Sequence, residues 1–306
     1  MLPDSAARLA AYRRARGRPP RRERRTVRAR GLDFAVWTTP AVPGVPPLAC
    51  VNGGLLFDHA SLWPSFAPLA ATRQLVFYDQ RGRGASQAPP GPRAARIEHD
   101  AGDLPALREA LGLDAWDLLG HSWGGGIAML AAAQDAGVRR LVLVDAVAPT
   151  SWWLPTLHAA ALARLPEPQR ATLAALDPAA LAEPDPATHS AYARAFAPAW
   201  FADVALAPLF TPPVTESATG AAVVARLRRE GYDWRDRLRA VRAPTLVVHG
   251  ERDALPVAVA HELAALLPAA RLALVPDAGH MPFWERPETF FPIVEEFLHA
   301  PSAPAR

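Results

Sequence analysis

The chain has 306 residues, half of them apolar, and a formal charge of +3, enough to bury a large core without disulfides or structural metals. Its single cysteine, Cys50, excludes a disulfide framework and a thiolate metal site, and a reducing, cytoplasmic setting is expected. No apolar run approaches the roughly 20 residues that span a bilayer, so no membrane partner is expected.

The charge is unevenly spread. Residues 1–30 hold eleven arginines against Asp4 and Glu23, which leaves the rest of the chain net acidic. Residues 1–25 read as an Arg-rich, poorly ordered arm in solvent. Nucleic acid is not an expected partner, because no aromatic is interleaved for base stacking after Tyr12. No apolar stretch of the kind that makes a secretory leader follows these charges.

From Thr26 onward, short apolar runs alternate with turn signals and helical stretches. Val27 to Arg30 and Phe34 to Thr38, linked by Gly31-Leu32-Asp33, predict an antiparallel hairpin. Pro47 to Val51, Gln74 to Tyr78, Ala115 to Leu119, Arg140 to Val144, Thr245 to His249 and Arg271 to Val275 each predict a short buried strand. Helices are expected over Ser61 to Leu69, Arg96 to Leu111, Trp123 to Gln134, Pro256 to Leu267 and Pro287 to His299. Such alternation implies a mostly parallel sheet covered by helices on both faces. It lapses over 149–242, a stretch rich in Ala, Pro and Trp that reads as an inserted helical cap. The core is then 26–148 and 243–300, followed by a tail over 301–306.

Gly120-His121-Ser122-Trp123-Gly124 lies between a predicted strand and a predicted helix. A serine on that tight turn is held in a strained backbone with its hydroxyl aimed off the sheet edge, and flanking glycines let strand and helix approach. Ser122 is therefore a candidate nucleophile. A serine hydroxyl needs a base in hydrogen-bond reach, itself oriented by a carboxylate. His280 follows the last predicted strand, and Asp253 follows the one before it. Asp145, which ends the run Leu141 to Val144, is a rival for the acid. His59, His121 and His249 read as structural. In Asp79-Gln80-Arg81-Gly82-Arg83-Gly84 the glycines lack the spacing of a phosphate cradle, and the segment reads as a turn fixed by polar side chains. No His, Asp and Glu cluster has metal-ligand spacing, so neither a metal nor a cofactor is expected.

The order Ser122, Asp253, His280 resembles that of the α/β-hydrolase superfamily. Val51-Asn52-Gly53-Gly54-Leu55, Val76 to Ser86 and Ser122-Trp123-Gly124 are similar to its proline iminopeptidase-like branch, with the likeness covering about residues 26–300. The resemblance implies the α/β-hydrolase fold, a mostly parallel central sheet flanked by helices with an inserted helical cap. It also implies that Ser122 attacks, His280 carries the proton, Asp253 orients the imidazole, and the backbone N–H groups of Gly54 and Trp123 form an oxyanion hole. Where the family pattern begins His-Gly and often continues Gly-Pro-Gly, this chain reads Asn52-Gly53-Gly54-Leu55-Leu56 and keeps the donor glycine.

The expected activity is serine hydrolysis of a small amide or ester through an acyl-enzyme, with a small molecule or short peptide as substrate. An iminopeptidase must hold a free amine, which calls for carboxylates from the cap: Glu167, Asp177, Glu183, Asp185, Asp203, Glu216, Glu230, Asp233 or Asp236. The cap tryptophans suit instead the apolar pocket of a carboxylesterase or lactonase. Epoxide hydrolase and dehalogenase relatives use Asp at the elbow, where Ser122 stands here. A non-catalytic ligand-binding protein on the same fold is the alternative of another class.

Overall fold

A computed structural model describes residues 4–210 and 215–300. Strand β1 (Glu23–Ala29) turns into β2 (Leu32–Thr38) through Arg30 and Gly31, whose φ angles are 46° and 79°. Two positive φ values make the hairpin turn whose twist matches that of its strands. The turn is tighter than the expected Gly31-Leu32-Asp33 link, because Leu32 is buried and pairs with Ala29.

The six remaining strands are β3 (Leu48–Val51), β4 (Leu75–Tyr78), β5 (Trp116–His121), β6 (Val138–Val144), β7 (Thr245–Gly250) and β8 (Ala270–Val275). They join the hairpin in one sheet of order β1-β2-β4-β3-β5-β6-β7-β8, in which every pairing from β4 to β8 is parallel. Each expected strand is present. All residues of β3, β5 and β7 are buried, as follows when helices cover both faces. Alternation survives within these runs: on β6, Leu141 and Leu143 enter one core, Val142 and Val144 the other.

Helices α2 (Ile97–Ala110), α3 (Trp123–Ala132) and α9 (Val257–Leu266) pack on the first face, and α11 (Pro287–His299) on the second. The expected helix over Ser61 to Leu69 is only two 3-10 turns, His59–Ser61 and Ala67–Ala71. Pro64 and Pro68 bring no N–H to sustain a longer helix.

Between β6 and β7 lie α4 (Leu154–Arg164), α5 (Gln169–Ala174), α6 (Pro186–Phe196), α7 (Ala218–Glu230) and α8 (Arg235–Leu238), with 3-10 turns. A single bridge pairs Thr150 with Asp233 at the base of this insertion. The last short helix, α10 (Pro282–Glu285), follows β8.

The N-terminal arm departs from expectation. Ser5–Arg16 forms helix α1, capped by Asp4, with Leu9 buried and Tyr12 stacked on Phe291 at 6.4 Å. Arg13 lies over the Trp284 ring at 4.2 Å and Arg22 over Trp63 at 4.4 Å. Leu9 and Tyr12 are three residues apart and share a helix face, and the arginines find aromatic rings to cover. Residues 23–25 belong to β1, and the expected tail 301–306 lies outside the described residues. Among the described residues no helix is long and apolar enough to cross a membrane.

Candidate active site

Strand β5 ends at His121 and α3 begins at Trp123, so Ser122 alone makes the turn, with φ 55° and ψ −123°. Left-handed backbone at a residue bearing a Cβ costs on the order of 1–3 kcal/mol and persists only where the surroundings over-determine it. Here Ser122 N–H donates to Val144 O at 2.9 Å, and Ser122 O accepts from Gly125 N–H at 2.9 Å. The glycines are sterically required. A Cβ on Gly120 would lie 2.3 Å from Gly124 O, and one on Gly124 would lie 2.1 Å from Val51 O.

The loops after β7 and β8 bring Asp253 and His280 together: His280 Nδ1 meets Asp253 Oδ2 at 2.7 Å. Leu255 N–H donates to the other oxygen, Oδ1, at 3.0 Å. Burial works to raise the Asp253 carboxyl, but the charge and hydrogen bond of His280, helped by His249 and the Leu255 amide, hold it below the usual carboxylate range. With Nδ1 engaged, Nε2 is the imidazole nitrogen left for chemistry. His280 N–H donates to Trp200 O at 2.7 Å, and His280 O accepts from His121 Nε2 at 2.8 Å. The Trp200 indole stacks on the imidazole at 4.0 Å.

Asp145, the rival acid, is fully buried beside this pair, close to Asp253 and His249. Its Oδ1 accepts from Gly250 N–H at 2.8 Å and lies 3.6 Å from His249 Nδ1. Burial and then the charge of Asp253 push the Asp145 carboxyl well above the usual range. Histidines 59, 121 and 249 hold structure: His59 meets Asp79 at 2.8 Å, and His249 Nε2 donates to Leu255 O at 3.0 Å.

Gly54 (φ 78°) and Trp123 line the same cavity as Ser122 and His280. Gly53 abuts the elbow, where a Cβ would lie 2.7 Å from Ser122 Cβ. The loop that lacks the His and Pro of the family pattern is braced instead by side chains. Asn52 Nδ2 donates to Phe57 O at 3.0 Å, Gln80 Nε2 to Asn52 O at 2.7 Å, and Arg83 Nε to Leu55 O at 3.0 Å. Arg83 is in turn clamped by Asp100 at 2.8 and 3.2 Å. The Asp79 to Gly84 segment is thus a turn fixed by polar groups, with Asp79 also accepting from Ala85 N–H at 2.8 Å.

Two contacts near the candidate base leave no pattern in the sequence. One is Trp200. The other is Glu285, whose Oε1 accepts from Ala202 and Asp203 N–H at 2.8 and 3.1 Å, and whose Oε2 accepts from Gly279 N–H at 2.5 Å. Burial pushes this carboxyl up to about 7. It ties the insertion to the loop of His280.

The cavity has a volume of about 520 Å³ and is walled mostly by apolar cap side chains, among them Trp153, Leu157 and Phe196. No Asp or Glu lines it among the described residues. Most acids of the insertion are engaged elsewhere: Glu167 with Arg170, Glu230 with Arg226, Asp233 with Arg235 and Asp236 with Arg239. Asp177, Asp185 and Asp203 cap helical turns. Potential metal ligands converge within 4.8 Å in two described groups, Asp58-His59-Asp79 and Asp145-His249-Asp253. In the first, Asp79 is taken by His59 and Ala85 N–H; the second contains the carboxylate that holds His280.

A family described as alpha/beta hydrolase fold matches residues 46–287. The chain belongs to that family. Within the α/β hydrolases it falls in the proline iminopeptidase-like branch, and it is a hydrolase. It is 29% identical over 244 residues to a proline iminopeptidase of Lactobacillus delbrueckii subsp. bulgaricus, covering 74% of this chain and 80% of that one. An N-formylmaleamate deformylase of Pseudomonas putida is 32% identical over 240 residues, covering 73% and 78% respectively. The crystal structure of a proline iminopeptidase from Mycobacterium smegmatis superposes with a TM-score of 0.69 at 26% identity, over 90% of this chain and 98% of that one.

Proposed function

We propose that this hydrolase cleaves a small amide or ester through a Ser122 acyl-enzyme. Ser122 Oγ bonds to the carbonyl carbon while its proton passes to His280 Nε2. As the C–N or C–O bond breaks, His280 gives that proton to the leaving amine or alcohol. Water then attacks the acyl carbon, its proton goes to His280 and on to Ser122 Oγ, and the acid departs. Asp253 stays ionised and orients the imidazole. The N–H groups of Gly54 and Trp123 receive the oxyanion, each worth about 3 kcal/mol of barrier.

The observation that carries this reading is the 2.7 Å contact of a buried Asp253 with His280, which lines the same cavity as the strained Ser122. Relatives named as an iminopeptidase and a deformylase support an amide as the scissile group, with the ester or lactone kept as the alternative. The apolar walls favour an apolar acyl portion.

A serine-reactive fluorophosphonate should label Ser122 in a single peptide, and Ser122→Ala should abolish both the label and the turnover of a short-chain aryl ester or arylamide. Turnover that survives Ser122→Ala would sink the acyl-enzyme. Ligand binding without any turnover or label would favour the non-catalytic reading.

A further inference from the structure

We infer that the substrate of this cavity carries a carboxylate, held by the guanidinium of Arg228 on α7. This rests on the acyl-transfer reading above and adds the class of substrate. On α7, Val224, Leu227 and Arg228 line the cavity together, as residues spaced three and four apart share one helix face. The flanking arginines are engaged outside it: Arg226 pairs with Glu230 at 2.9 Å, and Arg229 donates to Ala182 O at 2.6 Å. Arg228 makes no hydrogen bond or ion pair with any described residue. The residues outside the described set, 1–3, 211–214 and 301–306, hold no acidic side chain.

The groups facing Arg228 do not neutralise it. They are Tyr192, His158 and His189. Burial pushes the Tyr192 phenol up to about 12, so it stays neutral at ordinary pH. Burial, with the nearby Arg228 charge, holds both histidines below the usual imidazole range. A cation partly withdrawn from water in an apolar cavity, with no counter-ion, is costly by itself. A planar carboxylate that takes its paired N–H groups offsets that cost.

A second observation points to a ligand on the same wall. His189 is 1% exposed and lines the cavity. Its Nε2 lies 2.8 Å from Glu183 O, which can only accept, so the proton sits on Nε2. Nδ1 is then a buried acceptor without a partner, suited to an N–H or O–H of the bound molecule. A free ammonium, by contrast, would enter a cavity lined by two arginines, Arg194 and Arg228, and among the described residues by no carboxylate.

The test uses the full chain carrying Ser122→Ala, with 4-phenylbutyrate and its neutral isostere 4-phenylbutyramide as calorimetric probes. The acid should bind about tenfold or more tighter than the amide, the scale of a charge-assisted hydrogen bond. Adding Arg228→Met should erase that advantage, and Arg228→Lys should restore part of it. Equal binding of the two probes, or an advantage that survives Arg228→Met, would overturn the assignment. Should Arg228→Met not fold, Arg194→Met decides: an acid advantage that it leaves whole supports Arg228, and one that it abolishes would overturn the assignment, since Arg194 is the other arginine on the cavity wall. In the wild type, kcat/KM for mono-4-nitrophenyl glutarate should exceed that for 4-nitrophenyl valerate, and Arg228→Met should collapse the ratio. Probe preference without Ser122-dependent turnover of either ester would support the anchor while the acyl-transfer reading fails. Turnover of both esters with no charge preference in rate or binding would overturn the anchor and leave that reading intact.

Discussion

The indole of Trp200, on the segment inserted between β6 and β7, stacks on the imidazole of His280 with centroids 4.0 Å apart, and the same residue's carbonyl accepts the His280 N–H at 2.7 Å. The insertion therefore walls the cavity and also holds the candidate base. An aromatic contact of this kind is worth about 0.5–1.5 kcal/mol beyond its buried area. Trp200→Ala should lower kcat by roughly 3- to 10-fold, with Trp200→Phe recovering most of it in steady-state assays. An unchanged kcat in Trp200→Ala would deny the stack any part in positioning His280.

Asp253 and Asp145 make separable predictions. Asp253→Asn should reduce kcat by about 10⁴-fold, because the amide no longer holds the imidazole in the right tautomer. Asp145→Asn keeps an acceptor for the Gly250 amide and leaves the Asp253 contact to His280 in place, so activity should stay within about tenfold of the parent. The reverse pattern would hand the acid role to Asp145. Circular dichroism of both variants separates this from unfolding.

His121 should make the fold acid-sensitive. Burial, with the nearby His280, lowers its imidazole from 6.5 to about 3. The unfolded chain therefore binds a proton below 6.5 that the folded one refuses. The stabilisation is fully present above pH 6.5 and is lost as pH falls toward 3, at up to about 1.4 kcal/mol per pH unit. Urea midpoints of His121→Gln, which keeps a donor for His280 O, should decline less steeply over this window. An equal slope in both proteins would contradict it.

The ion pair of Arg83 and Asp100 is wholly buried, and Arg83 also braces the loop of Gly54 through Leu55 O. Asp100→Asn leaves that cation without its counter-charge, so unfolding should become easier by about 3–5 kcal/mol. Chemical denaturation reads this directly. A loss below about 1 kcal/mol would mean that water replaces the carboxylate.

Much of the site is legible along the chain, because its signals are local. Gly120-His121-Ser122-Trp123-Gly124 combines a strand's end, a helix's start and two glycines within five residues, and contacts at that range are set by backbone geometry alone. The strands were legible for the same reason, since buried strands read as short apolar runs. Asp253 and Asp145 were not separable that way, because each follows a parallel strand and lies near the same edge. Only the packed loops decide which carboxylate faces His280. Helix α1 is not legible that way either: its large apolar residues are only Leu9 and Tyr12, and Arg13 gains its aromatic partner only once Trp284 is in place.

The sequence by itself determined the strand–turn–helix setting of Ser122, the order in which Asp253 and His280 follow it, and the family. Tertiary structure alone decided what the cavity presents to a substrate. The chain holds nine acids from Glu167 to Asp236, and most of them sit in ion pairs or helical caps rather than on the cavity. The charges that do line the cavity are Arg194 on α6 and Arg228 on α7, the latter in an arginine-rich helix whose other two arginines face elsewhere. A charged side chain's direction depends on how one helix is rotated against its neighbours, a sum of many weak contacts that no local pattern records.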